Sequence, residues 1–424
     1  MVVWLNIKVY PSQIYGSINA PASKSYTHRA LFCSALANGR SIIRNPLLCD
    51  DVNASINALR SVGVEVRVDG GGIVVDGGEL TQPQNPINCM ESGTTMRFTV
   101  GLCSLIKGKS IVTGSKSLLR RPIKPLVDAL NVLGAKCTCV NGFPPVAVEG
   151  MLRGGSVLID SSLSSQFTSS IMISAPKSSV GVEIRSLVEP VSKPYILITL
   201  DVMNAFNVSV NYSSDLKLIS VERQNYTPRD FTVEGDWSSA AVLLTLGVVG
   251  GIVKVHGLNI NSFQGDRGIV DFLRLINAPV EIGSSYVSAM KSPVKPFELN
   301  VSDIPDLFPV LCVLSAYSSG TCRIYGVDRL RFKESDRVSA MANGLMNMGV
   351  KVALNGNCMV IRGGGVRGGV VIDSYNDHRI AMAFTILAAV AESPTVIRNA
   401  ECVSKSYPSF WDDIRRLGVR FEVV

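Results

Sequence analysis

The sequence predicts an α/β protein of two similar lobes, each made of three repeated units in which helices pack on sheets. One step recurs along the chain: an amphipathic helix ends at a glycine or an asparagine, and an alternating strand begins directly after it. Successive steps are 71, 73, 70, 72 and 69 residues apart, which is typical of a chain built from copies of one supersecondary unit. The six steps fall at Gly63, Gly134, Asn207, Asn277, Gly349 and Gly418.

Glycine and asparagine suit this position for a physical reason. A chain that leaves a helix often turns through the left-handed conformation, which glycine adopts freely and asparagine better than most residues. The hydrophobic period changes at the same point from about 3.6 residues to about 2, which indicates a helix followed by a strand. Strand-like runs such as GIVVDGG and CMVIRGG lie between the steps, and so do helix-like runs such as ESGTTMRFTVGLCSLI. Each unit is therefore predicted to contain two helices and several strands.

A chain of 424 residues is too long for one compact core, and two turn-rich segments, residues 10–21 and 225–230, indicate where the lobes join. Residues 15–228 are predicted to form a middle lobe of three repeats. Residues 229–424 are predicted to form a C-terminal lobe of three repeats, completed by a strand from residues 1–14. A chain that crosses twice between lobes leaves an interlobe cleft, which is a common place for a small-ligand site.

The composition excludes some classes of protein and leaves others open. Hydrophobic residues make up 46% of the chain and charged residues 18%, which excludes global disorder. The net charge of +7 suits anionic partners without distinguishing nucleic acids, membranes and small phosphates. A basic nucleic-acid-binding scaffold, which would bind polyanions in a salt-dependent way, remains an alternative. The scattered Lys and Arg residues and an aromatic content of only 7% weigh against it.

The chain is predicted to be cytoplasmic and to hold no metal. Its N-terminus lacks the pattern of a signal peptide, and the longest apolar stretch, residues 240–253, falls short of the roughly 20 residues that cross a bilayer. That stretch is interpreted as a buried helix followed by a strand. The ten cysteines include no CxxC pair and have no further metal ligands nearby, so they are interpreted as reduced, mostly buried thiols.

Two matches to nucleotide-binding motifs are rejected. Residues 363–368, GGGVRG, satisfy the dinucleotide fingerprint as letters, but a strand-like run follows where the fingerprint needs a helix. They are interpreted as a glycine-rich hairpin. Residues 103–110 come close to a phosphate loop, but Cys103 stands where the first glycine is required and the strand-like IVTG follows. Neither a nicotinamide site nor an ATP site is predicted.

The segment PASKSYTHRA, residues 21–30, concentrates chemical groups directly before an apolar helix. Its serines and threonine can cap the helix, and the backbone N–H groups of a helix N-terminus favour an anion. Lys24 and, about one turn into the helix, Arg29 add positive charge on that side. Similar groups precede other helices at residues 91–97, 120–122, 164–166 and 192–195.

The C-terminal half supplies the titratable groups. Charged residues precede helices at residues 303–306, 331–337, 377–379 and 404–408. The helix IAMAFTILAAVA, which follows residues 377–379, is so apolar that it must be buried, so the charges next to it are predicted to point inward. Arginine in such clusters suits a bidentate grip on phosphate or carboxylate.

The order of nine short motifs gives the chain a specific resemblance. These motifs are KSYTHRA, SGTTMR, RRPI, SSQF, SKPY, IPD, KESDR, DHR and SKSYP. In this order, and spread over nearly the whole chain, they resemble the enolpyruvyl transferase family and, within it, the EPSP synthases. The resemblance implies two lobes, each of three βαβαββ units. It also implies a monomeric transferase without metal or organic cofactor. That transferase would move the carboxyvinyl group of phosphoenolpyruvate to the 5-hydroxyl of shikimate 3-phosphate and release phosphate, in the shikimate pathway of aromatic amino acid biosynthesis.

The resemblance also assigns residues to the two substrates. Phosphoenolpyruvate would be held by Lys24, Gly93, Arg121, Gln166, Arg337, Arg379 and Lys405. Shikimate 3-phosphate would be held by Lys24, Ser25, Arg29, Ser164, Ser165, Gln166, Ser192, Asp306 and Lys333. Asp306 would act as base for the hydroxyl, and Glu334 as acid and later base at the methylene carbon. Lys24 would neutralise charge or share in proton transfer, and which group moves which proton is left open.

Two departures and one rival accompany the resemblance. Glu91 stands where the family usually has Asn; because a carboxylate there would repel a phosphate, we expect Glu91 to turn away or to pair with an arginine. Arg329 stands near the place of a substrate-contacting Asn and is not assigned to the site. The rival is the sister enzyme that acts on UDP-N-acetylglucosamine, which usually carries a reactive cysteine before its Arg-Pro segment. Residues 114–122 contain no cysteine.

Overall fold

The structure, a computed structural model, describes residues 5–424. Contacts within the chain divide it into two units. Residues 5–21 and 234–424 form the terminal unit, and residues 22–233 form the central unit. The sequence predicted these divisions after residues 14 and 228. Each unit has a hydrophobic core of its own.

Residues 5–424 contain twelve α-helices, of which the first six belong to the central unit. They are α1 (Lys24–Leu36), α2 (Asp50–Ser61), α3 (Gly93–Cys103), α4 (Lys124–Val132), α5 (Ser165–Ser174), α6 (Lys193–Ala205), α7 (Trp237–Gly250), α8 (Ile269–Leu275), α9 (Phe308–Tyr317), α10 (Arg337–Asn347), α11 (His378–Val390) and α12 (Phe410–Arg416).

The same residues contain 24 short strands. They are β1 (Ile7–Tyr10), β2 (Ile14–Asn19), β3 (Gly39–Arg44), β4 (Glu65–Asp69), β5 (Gly72–Gly77), β6 (Ile87–Asn88), β7 (Lys109–Thr113), β8 (Lys136–Val140), β9 (Phe143–Glu149), β10 (Gly155–Ile159), β11 (Val182–Ser186), β12 (Asn211–Tyr212), β13 (Leu218–Val221), β14 (Asp230–Thr232), β15 (Gly251–His256), β16 (Val280–Ile282), β17 (Tyr286–Met290), β18 (Glu298–Asn300), β19 (Thr321–Tyr325), β20 (Lys351–Asn355), β21 (Cys358–Arg362), β22 (Val371–Asp373), β23 (Thr395–Arg398) and β24 (Arg420–Val423).

Among the described residues the strands form six four-stranded sheets, three in each unit. In every sheet one edge strand pairs in parallel with its neighbour, and the two other pairings are antiparallel. The central unit has β14-β3-β5-β4, β6-β7-β9-β8 and β10-β11-β13-β12; the terminal unit has β16-β17-β15-β2, β18-β19-β21-β20 and β22-β23-β1-β24. The continuous segment β6-α3-β7-α4-β8-β9 is one βαβαββ unit, and the predicted architecture of two sets of three such units is confirmed.

Three strands complete sheets whose other strands lie far away in the sequence. β14 pairs in parallel with β3, in the edge place that β6 and β10 take in their own sheets. β2 takes the corresponding place beside β15. β1 lies between β23 and β24, so the first described strand of the chain pairs with the last.

The predicted turns between helix and strand are confirmed at all six positions. Each of these residues has a positive φ angle, in the left-handed region that favours glycine and asparagine. The angles are +88° at Gly63, +98° at Gly134, +63° at Asn207, +62° at Asn277, +88° at Gly349 and +95° at Gly418.

Three inner helices in each unit are buried along almost their whole length. They are α1, α3 and α5 in the central unit and α7, α9 and α11 in the terminal unit. Residues 240–253 belong to α7 and β15, so the prediction of a buried helix followed by a strand is confirmed. No helix within residues 5–424 is long and apolar enough to span a bilayer.

The prediction of a glycine-rich hairpin at residues 363–368 is wrong. These residues connect β21 to β22, which belong to different sheets. The segment therefore passes from one repeat to the next, and such a passage resembles a hairpin in sequence because both need a turn between two strands. The strand expected after the glycines is present as β22.

The ten cysteines are free, as predicted, and all except the half-buried Cys139 are buried. Burial raises the pKa of the Cys33 and Cys103 thiols to about 12. Such thiols stay protonated at neutral pH and contribute to the cores as small apolar groups.

Candidate active site

The predicted site segments lie where helices begin. In the central unit, Lys24, Gly93 and Ser165 are the first residues of α1, α3 and α5. In the terminal unit, Arg337 is the first residue of α10, and Asp377 caps α11. The first turn of a helix presents backbone N–H groups that have no partner within the helix, so these helix ends attract anions.

The inner helices of the two units begin with different chemical groups. Ser92 caps α3 and Ser164 caps α5, with no acidic residue in either first turn. Asp236 caps α7 by accepting the N–H of Ser239 at 2.7 Å, and Asp377 caps α11. A carboxylate cap partly neutralises the positive end of a helix, whereas a serine cap leaves it positive. The helix ends of the central unit are therefore better suited to a bound anion.

Two guanidinium groups converge on the first residue of α3. A Cβ atom placed on Gly93 would lie 2.5 Å from Nη1 of Arg97 and 2.9 Å from Nη1 of Arg121. Both arginines are buried. A helix N-terminus flanked by two arginines offers backbone and charge-assisted hydrogen bonds to one anion, and the absence of a side chain at Gly93 lets the anion approach the backbone.

Gln166 joins the starts of α3 and α5. Its Nε2 atom donates to Oγ1 of Thr94 at 2.9 Å, and its Oε1 atom accepts a hydrogen bond from Nη1 of Arg97 at 3.0 Å. Its backbone N–H donates to Oγ of Ser164 at 3.3 Å, which is the cap of α5. The predicted residues Gly93, Arg121 and Gln166 therefore belong to one group of polar side chains.

Lys24 lies beside the first turn of α2. Its Nζ atom is 2.8 Å from Oδ2 of Asp51, and both side chains are mostly buried. The backbone carbonyl of Asp51 accepts a hydrogen bond from Oγ1 of Thr95 at 3.2 Å, and Thr95 also bonds to the cap Ser92 at 2.7 Å. The starts of α1, α2 and α3 are therefore tied together around Lys24.

Arg29 connects α1 to α6. It donates to Oγ1 of Thr199 at 2.7 Å, to the backbone carbonyl of Ser25 at 3.0 Å and to that of Tyr195 at 2.9 Å. The side chain is 2% exposed, and burial lowers the pKa of its guanidinium to about 10. Ser192, which precedes α6 with a φ angle of +53°, accepts the N–H of Tyr195 at 3.0 Å. Arg29 thus brings the backbone around Ser25 close to the start of α6.

Arg337 is the centre of the charged cluster in the terminal unit. Its Nε atom is 2.8 Å from Oδ2 of Asp377, its Nη1 atom 2.8 Å from Oδ1 of Asp306, and its Nη2 atom 2.6 Å from Oε2 of Glu334. Burial opposes the positive charge, but these three carboxylates outweigh burial, and the pKa of Arg337 is raised well above its ordinary value. The two carboxylates predicted to be catalytic are therefore held by one guanidinium.

Three more predicted cations lie in the terminal unit. Nε of Arg379 is 3.1 Å from Oδ1 of Asp306, so this oxygen lies between two arginines. Burial lowers the pKa of half-buried Lys333 to about 8; Asp306 opposes this shift, whereas Arg329 and Arg337 add to it. Lys405 donates from Nζ to the backbone carbonyl of Asn376 at 2.6 Å, directly before the cap of α11.

Asp266 is a buried carboxylate that the sequence analysis did not select. It accepts a hydrogen bond from Oγ of Ser238, in the first turn of α7. Burial raises its pKa from 3.8 to about 7; the charge of Asp306 adds to this shift, and Arg379 opposes it. Asp266 therefore interacts electrostatically with two of the predicted site residues.

The family is decided by comparison with known sequences. The family model described as EPSP synthase (3-phosphoshikimate 1-carboxyvinyltransferase) matches residues 9–414 of the chain. The chain belongs to the EPSP synthase family. It is 40% identical over 428 residues to the 3-phosphoshikimate 1-carboxyvinyltransferase of Aeropyrum pernix, covering 100% of this chain and 99% of that protein. It is 42% identical over 407 residues to the enzyme of the same name from Pyrococcus abyssi, covering 96% and 95% of the two chains.

A solved EPSP synthase from Acinetobacter baumannii has a similar structure. The TM-score is 0.83 at 26% sequence identity, and the match covers 99% of this chain and 100% of that one. Membership in the EPSP synthase family and the repeated α/β architecture therefore agree over the whole length of the chain.

Within each unit, the structure groups most of the residues that the resemblance assigned. The central unit groups Lys24, Ser25, Arg29, Gly93, Arg121, Ser164, Ser165, Gln166 and Ser192 at the starts of its helices. The terminal unit groups Asp306, Lys333, Glu334, Arg337 and Arg379 around Arg337, and Lys405 lies beside the cap of α11. The substrate that each residue contacts, and the orientation of the half-buried Glu91, stay predictions.

Sequence reasoning missed four charged residues of these groups: Asp51, Arg97, Asp266 and Asp377. Arg97 and Asp377 lie inside segments that the sequence analysis selected. The spacing of four residues between Gly93 and Arg97 could have indicated that these two residues share a helix face. Asp51 and Asp266 lie in segments whose local pattern carries no comparable signal, because their partners are distant in sequence.

Proposed function

We propose that this chain transfers the carboxyvinyl group of phosphoenolpyruvate to the 5-hydroxyl of shikimate 3-phosphate and releases phosphate. The observation that carries the mechanism is the attachment of Asp306 and Glu334 to the two terminal nitrogens of Arg337, at 2.8 and 2.6 Å. The reaction needs proton transfer at an oxygen and at a carbon, and two carboxylates held in a fixed relation suit two such transfers.

The reaction balances in two steps. In the first, the hydroxyl oxygen bonds to C2 of phosphoenolpyruvate, the hydroxyl proton leaves, and the methylene carbon gains a proton. In the second, the bond between C2 and the phosphate oxygen breaks. The carbon that was protonated in the first step loses a proton, which restores the double bond. We assign Asp306 to the proton of the hydroxyl and Glu334 to the proton of the carbon.

The substrates are doubly anionic at least, since each carries a phosphate and a carboxylate. We assign the phosphate of phosphoenolpyruvate to the start of α3, where the Arg121 guanidinium lies beside Gly93. Backbone N–H groups and this guanidinium compensate charge that would otherwise repel the second substrate. Lys24, held by Asp51 at 2.8 Å, is assigned to neutralise charge on the phosphate oxygen as its bond to C2 breaks.

The test is phosphate release by purified protein given shikimate 3-phosphate and phosphoenolpyruvate, with UDP-N-acetylglucosamine as the alternative acceptor. Release is expected with the shikimate ester alone. Glu334→Gln should lower the rate by about 10²–10⁴-fold. Glu392→Gln, which changes an exposed glutamate after α11, should leave the rate unchanged. Release with the UDP-sugar, or an unimpaired Glu334→Gln variant, would contradict the proposal.

We further propose that the enzyme is a cytoplasmic monomer that needs no metal or organic cofactor. Within residues 5–424 no helix can span a bilayer, and the buried neutral thiols are compatible with a reducing compartment. Sedimentation at micromolar concentration should give one species of 45.5 kDa, and a chelator should leave the rate unchanged. A concentration-dependent mass or loss of rate in the chelator would overturn these two statements.

A further inference from the structure

Arg97, on α3, contacts two other parts of the central unit, which are helix α5 and the segment that follows Arg121. Its Nη1 atom donates to Oε1 of Gln166, at the start of α5, at 3.0 Å. Its Nη2 atom donates to the carbonyl of Pro122 at 3.4 Å, directly after Arg121. Its guanidinium carbon lies 5.3 Å from the centre of the Phe167 ring, within the range of a cation–π contact. The side chain, 8% exposed, is therefore held on several sides.

These contacts determine which way the side-chain amide of Gln166 faces. A guanidinium only donates hydrogen bonds, so the atom of Gln166 that faces Arg97 must be the carbonyl oxygen. The NH₂ group then faces Thr94, and Nε2 donates to its Oγ1 at 2.9 Å. Without Arg97, the amide could rotate by half a turn and present its oxygen toward the start of α3, where an anion would be repelled.

Arg97 also acts on the position of Arg121. Pro122 follows Arg121 in the sequence, and its carbonyl is bound by Arg97. The Nη1 atoms of both arginines lie within 2.9 Å of the position that a Cβ on Gly93 would occupy. Loss of Arg97 therefore removes a constraint on the backbone that directs the Arg121 guanidinium.

We propose that Arg97 is a positioning residue, which fixes the amide of Gln166 with its N–H groups toward the start of α3. This inference rests on the proposed function in one respect, that the anion at this place is the phosphate of phosphoenolpyruvate. The arrangement offers the anion hydrogen-bond donors from the backbone of α3, Arg121 and Gln166. Gln166 thereby helps to select an anion, although an amide by itself has equal capacity to donate and to accept.

The test is a double-mutant cycle with Arg97→Met, Gln166→Met and the double variant. Calorimetric titration with inorganic phosphate and the KM for phosphoenolpyruvate are both measured. If Arg97 acts through Gln166, Arg97→Met should weaken phosphate binding about 10–100-fold in the natural chain but less than about 3-fold in the Gln166→Met background. If Arg97 contributes only its charge, the two effects multiply, and the proposal is overturned.

Two further variants make the result independent of folding and of the assigned reaction. Arg97→Lys keeps the charge but loses the forked geometry, so it should resemble Arg97→Met more closely than the natural chain. Arg223→Met removes an exposed arginine of the same unit and should change neither phosphate binding nor the KM.

The phosphate titration needs no organic substrate. If the natural chain is inactive but Arg97→Met weakens phosphate binding only when Gln166 is present, the proposed reaction is rejected and the positioning role stands. If the natural chain is active but the effects of Arg97→Met and Gln166→Met on phosphate binding multiply, the reaction stands and the positioning role is rejected. Failure of the natural chain to bind phosphate would overturn the inference.

Discussion

Arg337 and Asp377 form a buried ion pair, with Nε and Oδ2 2.8 Å apart and the two side chains 1% and 0% exposed. The same carboxylate accepts the backbone N–H of Arg379 at 3.0 Å, so Asp377 both caps α11 and holds the guanidinium at the start of α10. This pair places Arg337 where it can also bind Asp306 and Glu334. The carboxylates proposed to transfer protons are therefore positioned by a residue that itself depends on a helix cap.

The charged cluster around Arg337 predicts which of two variants loses more stability. Arg337→Met leaves three neighbouring carboxylates without their shared cation and should lower the free energy of unfolding by about 3–5 kcal/mol. Asp377→Asn keeps two carboxylates on Arg337 and a capping oxygen, so it should cost about 1–3 kcal/mol. Both free energies of unfolding can be measured by urea unfolding, followed by the fluorescence of Trp237 and Trp411 in the terminal unit. A larger loss in Asp377→Asn than in Arg337→Met would contradict this account.

Gly93→Ala should impair binding more than stability. The added methyl would lie 2.5 and 2.9 Å from the ends of the Arg97 and Arg121 side chains, which can move aside only by leaving the start of α3. We expect the KM for phosphoenolpyruvate to rise at least about 10-fold and the free energy of unfolding to change by less than about 1 kcal/mol. Steady-state kinetics and urea unfolding provide the two values.

A second glycine of α3 is the matched control. A Cβ at Gly101 would lie 2.4 Å from Oγ and 2.9 Å from the backbone oxygen of Ser170, on the packed helix α5. Because backbone cannot move aside as a long side chain can, Gly101→Ala should lose about 1–3 kcal/mol of stability. An unchanged KM in Gly93→Ala, or equal stability loss in both variants, would contradict the role assigned to Gly93.

Asp266 predicts a stability that falls as the pH rises toward neutrality. Its pKa is about 7 in the folded protein against an ordinary value of 3.8, so the folded state binds more protons than the unfolded state between these limits. The groups that interact with it are Ser238 and Asp236 of the α7 start, Asp306 and Arg379. Asp266→Asn should be more stable than the natural chain by roughly 1–3 kcal/mol near pH 8 and about equal to it near pH 4.

Urea unfolding of the terminal unit at several pH values measures this difference. Asp271→Asn removes an exposed aspartate from α8 and should leave the pH profile unchanged. A profile of Asp266→Asn that runs parallel to that of the natural chain would show that Asp266 does not titrate in this range.

His28 predicts an acid-sensitive central unit. Its Nδ1 atom lies 2.9 Å from Oγ of Ser55, which in turn lies 2.7 Å from Oγ1 of Thr95 at the start of α3. Burial lowers the pKa of His28 well below 6.5, and Lys24 and Arg29 add to the shift. Below about pH 6.5 the unfolded chain therefore binds a proton that the folded chain does not, and stability falls with falling pH.

His28→Gln should remove that loss of stability between about pH 6.5 and pH 5, since glutamine does not titrate. Circular dichroism during thermal unfolding measures it. His256→Gln, in the terminal unit, serves as the control and should keep the acid sensitivity of the natural chain. If His28→Gln keeps it as well, the acid sensitivity has another origin.

The sequence by itself determined the repeat, because the repeat depends on local physics. Gly63 and Asn207 adopt positive φ angles, as the residue types at helix ends predicted, and the change of hydrophobic period marked the strand after each of them. Starts of helices were also visible locally, because polar or charged segments such as residues 164–166 and 377–379 stand directly before apolar runs. Lys24, Gln166 and Arg337 could be selected because the motifs that contain them are contiguous.

Only the tertiary structure decided which of these groups meet. Arg337 and Asp306 are 31 residues apart, and Arg97 and Gln166 are 69 residues apart. No local pattern specifies such pairs, because side-chain direction depends on how each helix packs against the next. The same limit explains the wrong hairpin at residues 363–368, where a local turn signal did not reveal that the two strands belong to different sheets. Asp266 shows it most clearly: its pKa is set by burial and by the charge of Asp306, which approaches it only in the folded unit.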